Sequence, residues 1–169
     1  MARNFKLICK IVVFVWPLAG LVLSFLLHAN FFISILIFFG VPSFLLSLIN
    51  GRSIKKAALF SLISIPLTLI IDYVMEATGG WTIQSSIFGS YRLLGYVTID
   101  IFFWGYLYIF FIVMFYETFL EHHYVPTIHT KRLKYFFLIL FFVSGAFFIT
   151  YLTKPELLKI SRFYAFVGF

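Results

Sequence analysis

Long apolar runs separated by short polar clusters dominate the chain, and five of them reach the length that spans a bilayer. A helix crossing a hydrocarbon core of about 30 Å needs about 20 apolar residues. That rule predicts helices at Ile11–Leu27, Phe31–Ile49, Ala57–Met75, Val97–Leu120 and Leu133–Leu152. The turn His28–Asn30 is short enough to make the first two antiparallel neighbours, and Asn50–Gly51 is a helix stop after the second. The predicted fold is therefore all-α, a polytopic bundle of about five transmembrane helices forming one membrane domain over residues 1–169. The tail from 153 to 169, mixing basic and aromatic residues, is expected to lie along the interface.

Composition agrees with a bilayer environment. The 169 residues are 63% hydrophobic and 22% aromatic but only 11% charged, whereas a soluble domain carries about 25% charged residues. This excludes an ordinary soluble domain and a disordered chain. The formal charge of +7 would suit nucleic acid if its residues formed one basic face. Instead they sit between the apolar runs, so no nucleic-acid partner is expected.

With five spans, Arg3, Lys6, Lys10, Arg52, Lys55, Lys56, Lys131, Arg132 and Lys134 fall on one side. Arg92, Lys154, Lys159 and Arg162 fall on the other. The positive-inside rule then predicts a multi-pass protein of the cell membrane with a cytoplasmic N-terminus. Arg3, Lys6 and Lys10 ahead of an apolar run resemble a signal peptide. The run is long and lacks a small-x-small cleavage site, so a retained first helix is expected. Cys9, the single cysteine, reads as a small apolar residue.

Six acidic residues in such a chain each need a reason, because a charge at membrane depth costs at least about 2.5–3.5 kcal/mol. Asp72 and Glu76 are four apart and share one helix face. Asp100 lies in the first turn of the next span, and the long loop between them, from about Ala77 to Tyr96, carries Arg92 and Trp81. All four charged residues thus belong to one end of the bundle. The plainer expectation for the two aspartates is helix capping at the interface, and for Trp81 a place in the aromatic belt. Glu117, Glu121, His122 and His123 are expected on a solvated rim at the opposite end.

Most chemistries find no residues here. Four histidines are too few for membrane diiron boxes, and Asp72 with Glu76 is one acidic pair where prenyl transfer needs two magnesium-binding motifs. There is no Gly-x-Gly-x-x-Gly turn and no Gly-x-Ser-x-Gly elbow. No metal and no cofactor are expected. What remains is proton transfer: an apolar site keeps a carboxyl protonated and able to donate, and aromatic faces stabilise a nearby cation.

The stretch Ile71-Asp72-Tyr73-Val74-Met75-Glu76-Ala77-Thr78-Gly79-Gly80-Trp81, followed through Gly89 by Leu93-Leu94-Gly95-Tyr96-Val97-Thr98-Ile99-Asp100-Ile101-Phe102-Phe103, resembles the small membrane lycopene cyclase domain. This is the bacterial heterodimeric or fungal and archaeal fused type. Asp72, Gly79 and Trp81 match its helix-end aspartate and Gly-x-Trp. Asp100 falls on the second glutamate of its Pro-x-Glu-Glu-x-x-Phe-Phe helix start, Phe103 on an aromatic position, and Tyr116-Glu117 on its Tyr-Glu. Val97 replaces the proline and Ile99 the first glutamate. The resemblance covers about Phe31–Leu120, a core of three helices.

It implies cyclisation of a linear carotenoid or related isoprenoid without net redox change. Asp100 would donate the proton, and Asp72 or Glu76 would remove one. Trp81, Phe102, Phe103, Trp104, Tyr106 and Arg92 would line the substrate site. Because the family's working unit combines two such domains, a homo-oligomer or a second cyclase-like subunit is the expected partner, alongside the bilayer and the isoprenoid substrate. Two alternatives stay open: a non-catalytic membrane subunit or scaffold on the same fold, and a small transport component using buried carboxylates.

Overall fold

The computed structural model describes residues 2–84, 86–120, 131–160 and 163, except for the side chains of residues 2, 3 and 131–133. The chain is an all-α bundle with no strand among the described residues. Helices α1 (Ala2–Leu26), α2 (Phe31–Ile35) and α3 (Val41–Ile49) come first, with a π-helical turn at Leu36–Gly40 joining the latter two into one span. A 3₁₀ turn at Gly51–Ser53 leads into α4 (Ile54–Ala77); α5 (Asp100–Phe119), α6 (Lys131–Thr153) and a 3₁₀ turn at Pro155–Leu158 follow. Among the described residues, five helical segments are long and apolar enough to cross a membrane. Their outward faces carry large apolar side chains such as Phe25, Phe141 and Leu152, each at least 75% exposed, as lipid contact allows.

Each end has a local cause. Asn30 caps α2, its Oδ1 accepting from the Ile33 N–H at 2.9 Å. The π-turn sits just ahead of Pro42. There the Val41 N–H donates to the Leu36 carbonyl, and the residue that would serve the Ile37 carbonyl in the same register is Pro42, which has no N–H. The Trp16 indole of α1 supplies the missing donor, at 2.7 Å.

α1 begins nine residues before the predicted span, because the apolar run marks the membrane-embedded part of a helix and not its end. α5 begins three residues later than predicted. Val97 is occupied in a two-way backbone pairing with Leu93 (Leu93 N to Val97 O 2.7 Å, Val97 N to Leu93 O 2.9 Å), closed by Leu94 at φ +55° and Gly95 at φ +84°. Both central residues of this tight turn have positive φ, as a mirror-image turn demands.

α4 and α5 make the central seam; α3 packs on α5, α1 on α3, and α6 on α4. Small and polar residues of α4, Ala57, Ser61, Ser64 and Thr68, are buried at helical spacing and let the backbones approach. A Cβ on Gly105 would collide with Thr68, so α5 meets α4 there through a glycine. Two apolar clusters fill the bundle. One gathers Cys9, Val13, Leu46, Phe110 and Met114; the other gathers Tyr73, Val97, Ile101, Phe147 and Leu158. Leu158, in the tail, is buried in this second cluster. Residues 161, 162 and 164–169 lie outside the described residues; Phe163 packs against the second cluster.

Candidate active site

The small-residue stripe of α4 leads directly to Asp72, which is fully buried. One turn later the helix stops in a Schellman motif. The Gly80 N–H donates to the Met75 carbonyl at 2.8 Å and the Gly79 N–H to the Glu76 carbonyl at 3.1 Å. Gly79, at φ +70°, provides the left-handed residue this stop needs. The reversal returns Trp81 toward the helix it has just left, and its indole N–H donates to Asp72 Oδ1 at 3.0 Å.

The loop is held in place by Glu76 and Arg92. Glu76 Oε1 accepts from the Ile83 N–H at 3.2 Å, and its other oxygen lies 3.5 Å from the Arg92 guanidinium. Arg92 also donates to the carbonyls of Ile83 at 2.6 Å and Tyr96 at 3.4 Å. Both residues were candidates for the site. The structure places them together and gives them the work of fastening the loop to the end of α4.

Between this loop and α5 lies a cavity of about 540 Å³. Phe31, Ile83, Ile101 and Trp104 form its apolar wall, and Asp72, Trp81, Thr82 and Gln84 supply its polar groups. The Trp81 and Trp104 rings meet edge to face with centroids 6.4 Å apart, and Trp104 stacks on Tyr108. Asp72 Oδ2 has no hydrogen-bond partner among the described residues. Asp72 thus brings to the cavity wall a buried carboxyl with one oxygen anchored by Trp81 and the other without a partner among the described residues. The indole faces can stabilise a cation formed there.

Of the expected lining residues, Trp81 and Trp104 border the cavity, and Phe102, Phe103, Tyr106 and Arg92 do not. Phe103 packs on Phe32 and Phe88, and Tyr106 stacks on Phe110 in the other half of the bundle. Asp100 is fully buried in the first turn of α5 and is also absent from the lining; its neighbour Ile101 faces the cavity. Neither Asp100 oxygen has a partner among the described residues, and the same holds for the hydroxyl of Thr98. Phe31, Thr82 and Gln84 escape sequence reasoning: a phenylalanine in an apolar run and two neutral polar loop residues carry no distinguishing signal.

At the opposite end, Glu117 is buried, contrary to the solvated rim expected for it. It pairs with Lys56 and accepts from the Ser53 hydroxyl at 3.2 Å, while the Asn50 amide donates to the Glu117 carbonyl at 3.2 Å. Helix packing brings these groups together from the α3–α4 turn, the first turn of α4 and the end of α5. Glu121, His122 and His123 lie outside the described residues. No group of three or more His, Cys, Asp or Glu that could hold a metal ion occurs among the described residues. Comparison of the chain with family models, curated proteins and solved structures finds no match.

Proposed function

We propose that the chain is an intramembrane acid–base isomerase that cyclises a linear carotenoid or related isoprenoid, in the manner of the lycopene cyclases it resembles. The observation that carries this reading is the environment of Asp72: a fully buried carboxyl on a largely apolar, tryptophan-flanked cavity, with one oxygen fixed by Trp81 and the other unengaged.

In this reading the terminal double bond of the polyene lies against Asp72. The carboxyl adds its proton to one carbon of that bond, leaving a tertiary carbocation between the indoles of Trp81 and Trp104. Attack by a second double bond of the chain closes a six-membered ring and moves the charge onto it. Loss of a ring proton to a carboxylate completes an isomerisation in which atoms and electrons balance. Asp72 is the donor here because it touches the cavity, a role that the resemblance alone assigns to Asp100. Asp100, off the cavity lining, takes no direct part; the Asp72 carboxylate left by the first transfer takes the ring proton, and Glu76 positions the loop. The working unit includes a second copy or a cyclase-like subunit. The N-terminus faces the cytoplasm, so the cavity opens toward the opposite membrane face.

The test is pigment analysis of a lycopene-accumulating bacterial host. Wild-type chain, alone or with a cyclase-like subunit from the same genome, yields cyclic carotene. Asp72→Asn lowers the product by about 10²–10⁴-fold, the usual contribution of a general acid, at equal membrane abundance. Full activity of Asp72→Asn with loss in Asp100→Asn returns the donor role to Asp100. Unchanged lycopene in every combination overturns the cyclase reading. The non-catalytic scaffold then stands in its place, the reading favoured by Ile99 and by the position of Asp100 off the cavity lining.

A further inference from the structure

A second cavity, of about 390 Å³, adjoins the first, and Phe31 and Trp104 border both. Its remaining wall comes from α1, α2, the π-turn and α5, including Trp16, Ser34, Phe38, Phe39 and Phe111. No ionisable residue among the described residues lines it. Of the two indoles on its wall, that of Trp16 is committed to the Ile37 carbonyl. All three tryptophans of the chain therefore border these two spaces: Trp81 the first, Trp16 the second and Trp104 both.

We infer that the second cavity is the tail subsite of the same linear chain whose reactive end lies at Asp72, with Phe31 and Trp104 forming the waist through which the chain passes. This inference rests on the functional reading above and adds the residues that select for ligand length. The polarity is one-sided. Asp72, Thr82 and Gln84 all lie at the first cavity, and the second offers hydrocarbon and aromatic surface with a single hydroxyl, Ser34. A polar head would leave its groups unpaired in that space, whereas an unfunctionalised isoprenoid tail loses nothing there. The π-turn contributes to the shape. By widening the helix just before Pro42 it places Phe38 and Phe39 on the cavity wall, and π-turns of this kind recur at functional sites.

Chain length is the property that tests this. Purified wild-type protein in detergent is titrated with lycopene and with an acyclic polyene of half its length. Binding is read as induced circular dichroism in the visible band, which an achiral polyene shows only when held in a chiral site. Ser34→Leu fills the second cavity, and Ser34→Val is the smaller substitution if the first fails to assemble. Lycopene is expected to bind about tenfold or more weakly to the filled variant, the usual penalty for a misfitting methylene or two, while the half-length polyene keeps its affinity. Thr82→Trp, which obstructs the first cavity, weakens both. Unchanged lycopene affinity in both Ser34 variants, together with loss in Thr82→Trp, overturns the tail subsite and leaves the functional reading intact. Equal weakening of both polyenes by Ser34→Leu likewise overturns it. Absence of an induced signal from either polyene with wild-type protein overturns both.

Discussion

Asp72 and Trp81 depend on each other in a way that can be measured. The indole N–H is the one donor to Asp72 Oδ1 among the described residues, and the carboxyl is fully buried. Trp81→Phe keeps most of the ring and removes the donor, so a buried acceptor loses its partner, at about 1–3 kcal/mol. The expected outcome is a lower thermal midpoint in detergent, with a smaller further loss when Asp72→Asn is added than Asp72→Asn causes alone. Additive losses would show that the two side chains do not act as a pair. Gly79 allows a cleaner backbone experiment. A Cβ there meets nothing within 4 Å, so Gly79→Ala tests only the positive φ, a cost of about 1–2 kcal/mol. Gly79→Asn should cost less, because its short polar side chain tolerates the left-handed region. Equal midpoints for glycine and alanine would show that the Schellman stop is not what positions Trp81. Of these residues, Asp72 and Trp81 stand out in the sequence because acids and tryptophans are few in this chain, and Gly79 stands out through its place two residues before Trp81. The hydrogen bond between the first two is legible only as a nine-residue spacing whose intervening turn has to be known.

Between elements, the α4–α5 seam decides the geometry of the site, because it carries Asp72 on one helix and Trp104 on the other. Gly105 lies against Thr68 with no room for a Cβ. Gly105→Leu is expected to force the helices apart and destabilise the bundle by about 1–3 kcal/mol or more. Ser61→Ala, on the same α4 stripe, should be nearly neutral, as among the described residues its hydroxyl bonds only to the Ala57 carbonyl of its own helix. A similar midpoint for Gly105→Leu and wild type would contradict the close approach. At the far end of the same seam, Lys56→Met leaves the buried Glu117 carboxylate with the Ser53 hydroxyl as its side-chain donor among the described residues. The expected loss is about 1.5–3 kcal/mol, typical of a hydrogen bond to a charged group, partly recovered by adding Glu117→Gln. No recovery would mean that the pair contributes little. Hydrophobic patterning locates these helices but not their faces, because a membrane helix is apolar toward lipid and toward protein alike. The small residues at positions 57, 61, 64 and 68 were the available clue to which side of α4 is inward.

For the whole molecule, five spans place the two ends of the bundle on opposite sides of the membrane. A periplasm-dependent phosphatase fused after Thr153 is expected to be active, and a fluorescent reporter that matures only in the cytoplasm to be dark at the same position. The reverse pattern would invert the assigned orientation and put the cavity on the cytoplasmic side. α6 is the outlying member. Among the helices it packs chiefly on α4, through the stacking of Phe60 on Phe136 and the edge contacts of Tyr73 with Phe147 and Tyr151. Its remaining surface, including Leu138, Ile139, Phe141 and Phe142, is open.

Span number, approximate limits and the charge asymmetry were determined by the sequence alone, because bilayer thickness and the cost of exposed charge act on length and composition and not on packing. The gathering of Asp72, Glu76, Arg92 and Trp81 at one bundle end follows for the same reason, since a helix–loop–helix returns to the face it left. Which of these groups borders a cavity was decided only by tertiary structure. The Schellman stop turns Trp81 back onto Asp72, the Glu76–Arg92 clasp consumes two apparent site residues in holding the loop, and α5 presents Ile101 to the space and not Asp100. The same holds for Glu117, whose burial depends on Lys56 and Ser53 arriving from helices distant in sequence. Hydropathy acts residue by residue and can be summed along a chain; hydrogen-bond partnership depends on where the backbone returns, and that is known only once the helices have packed.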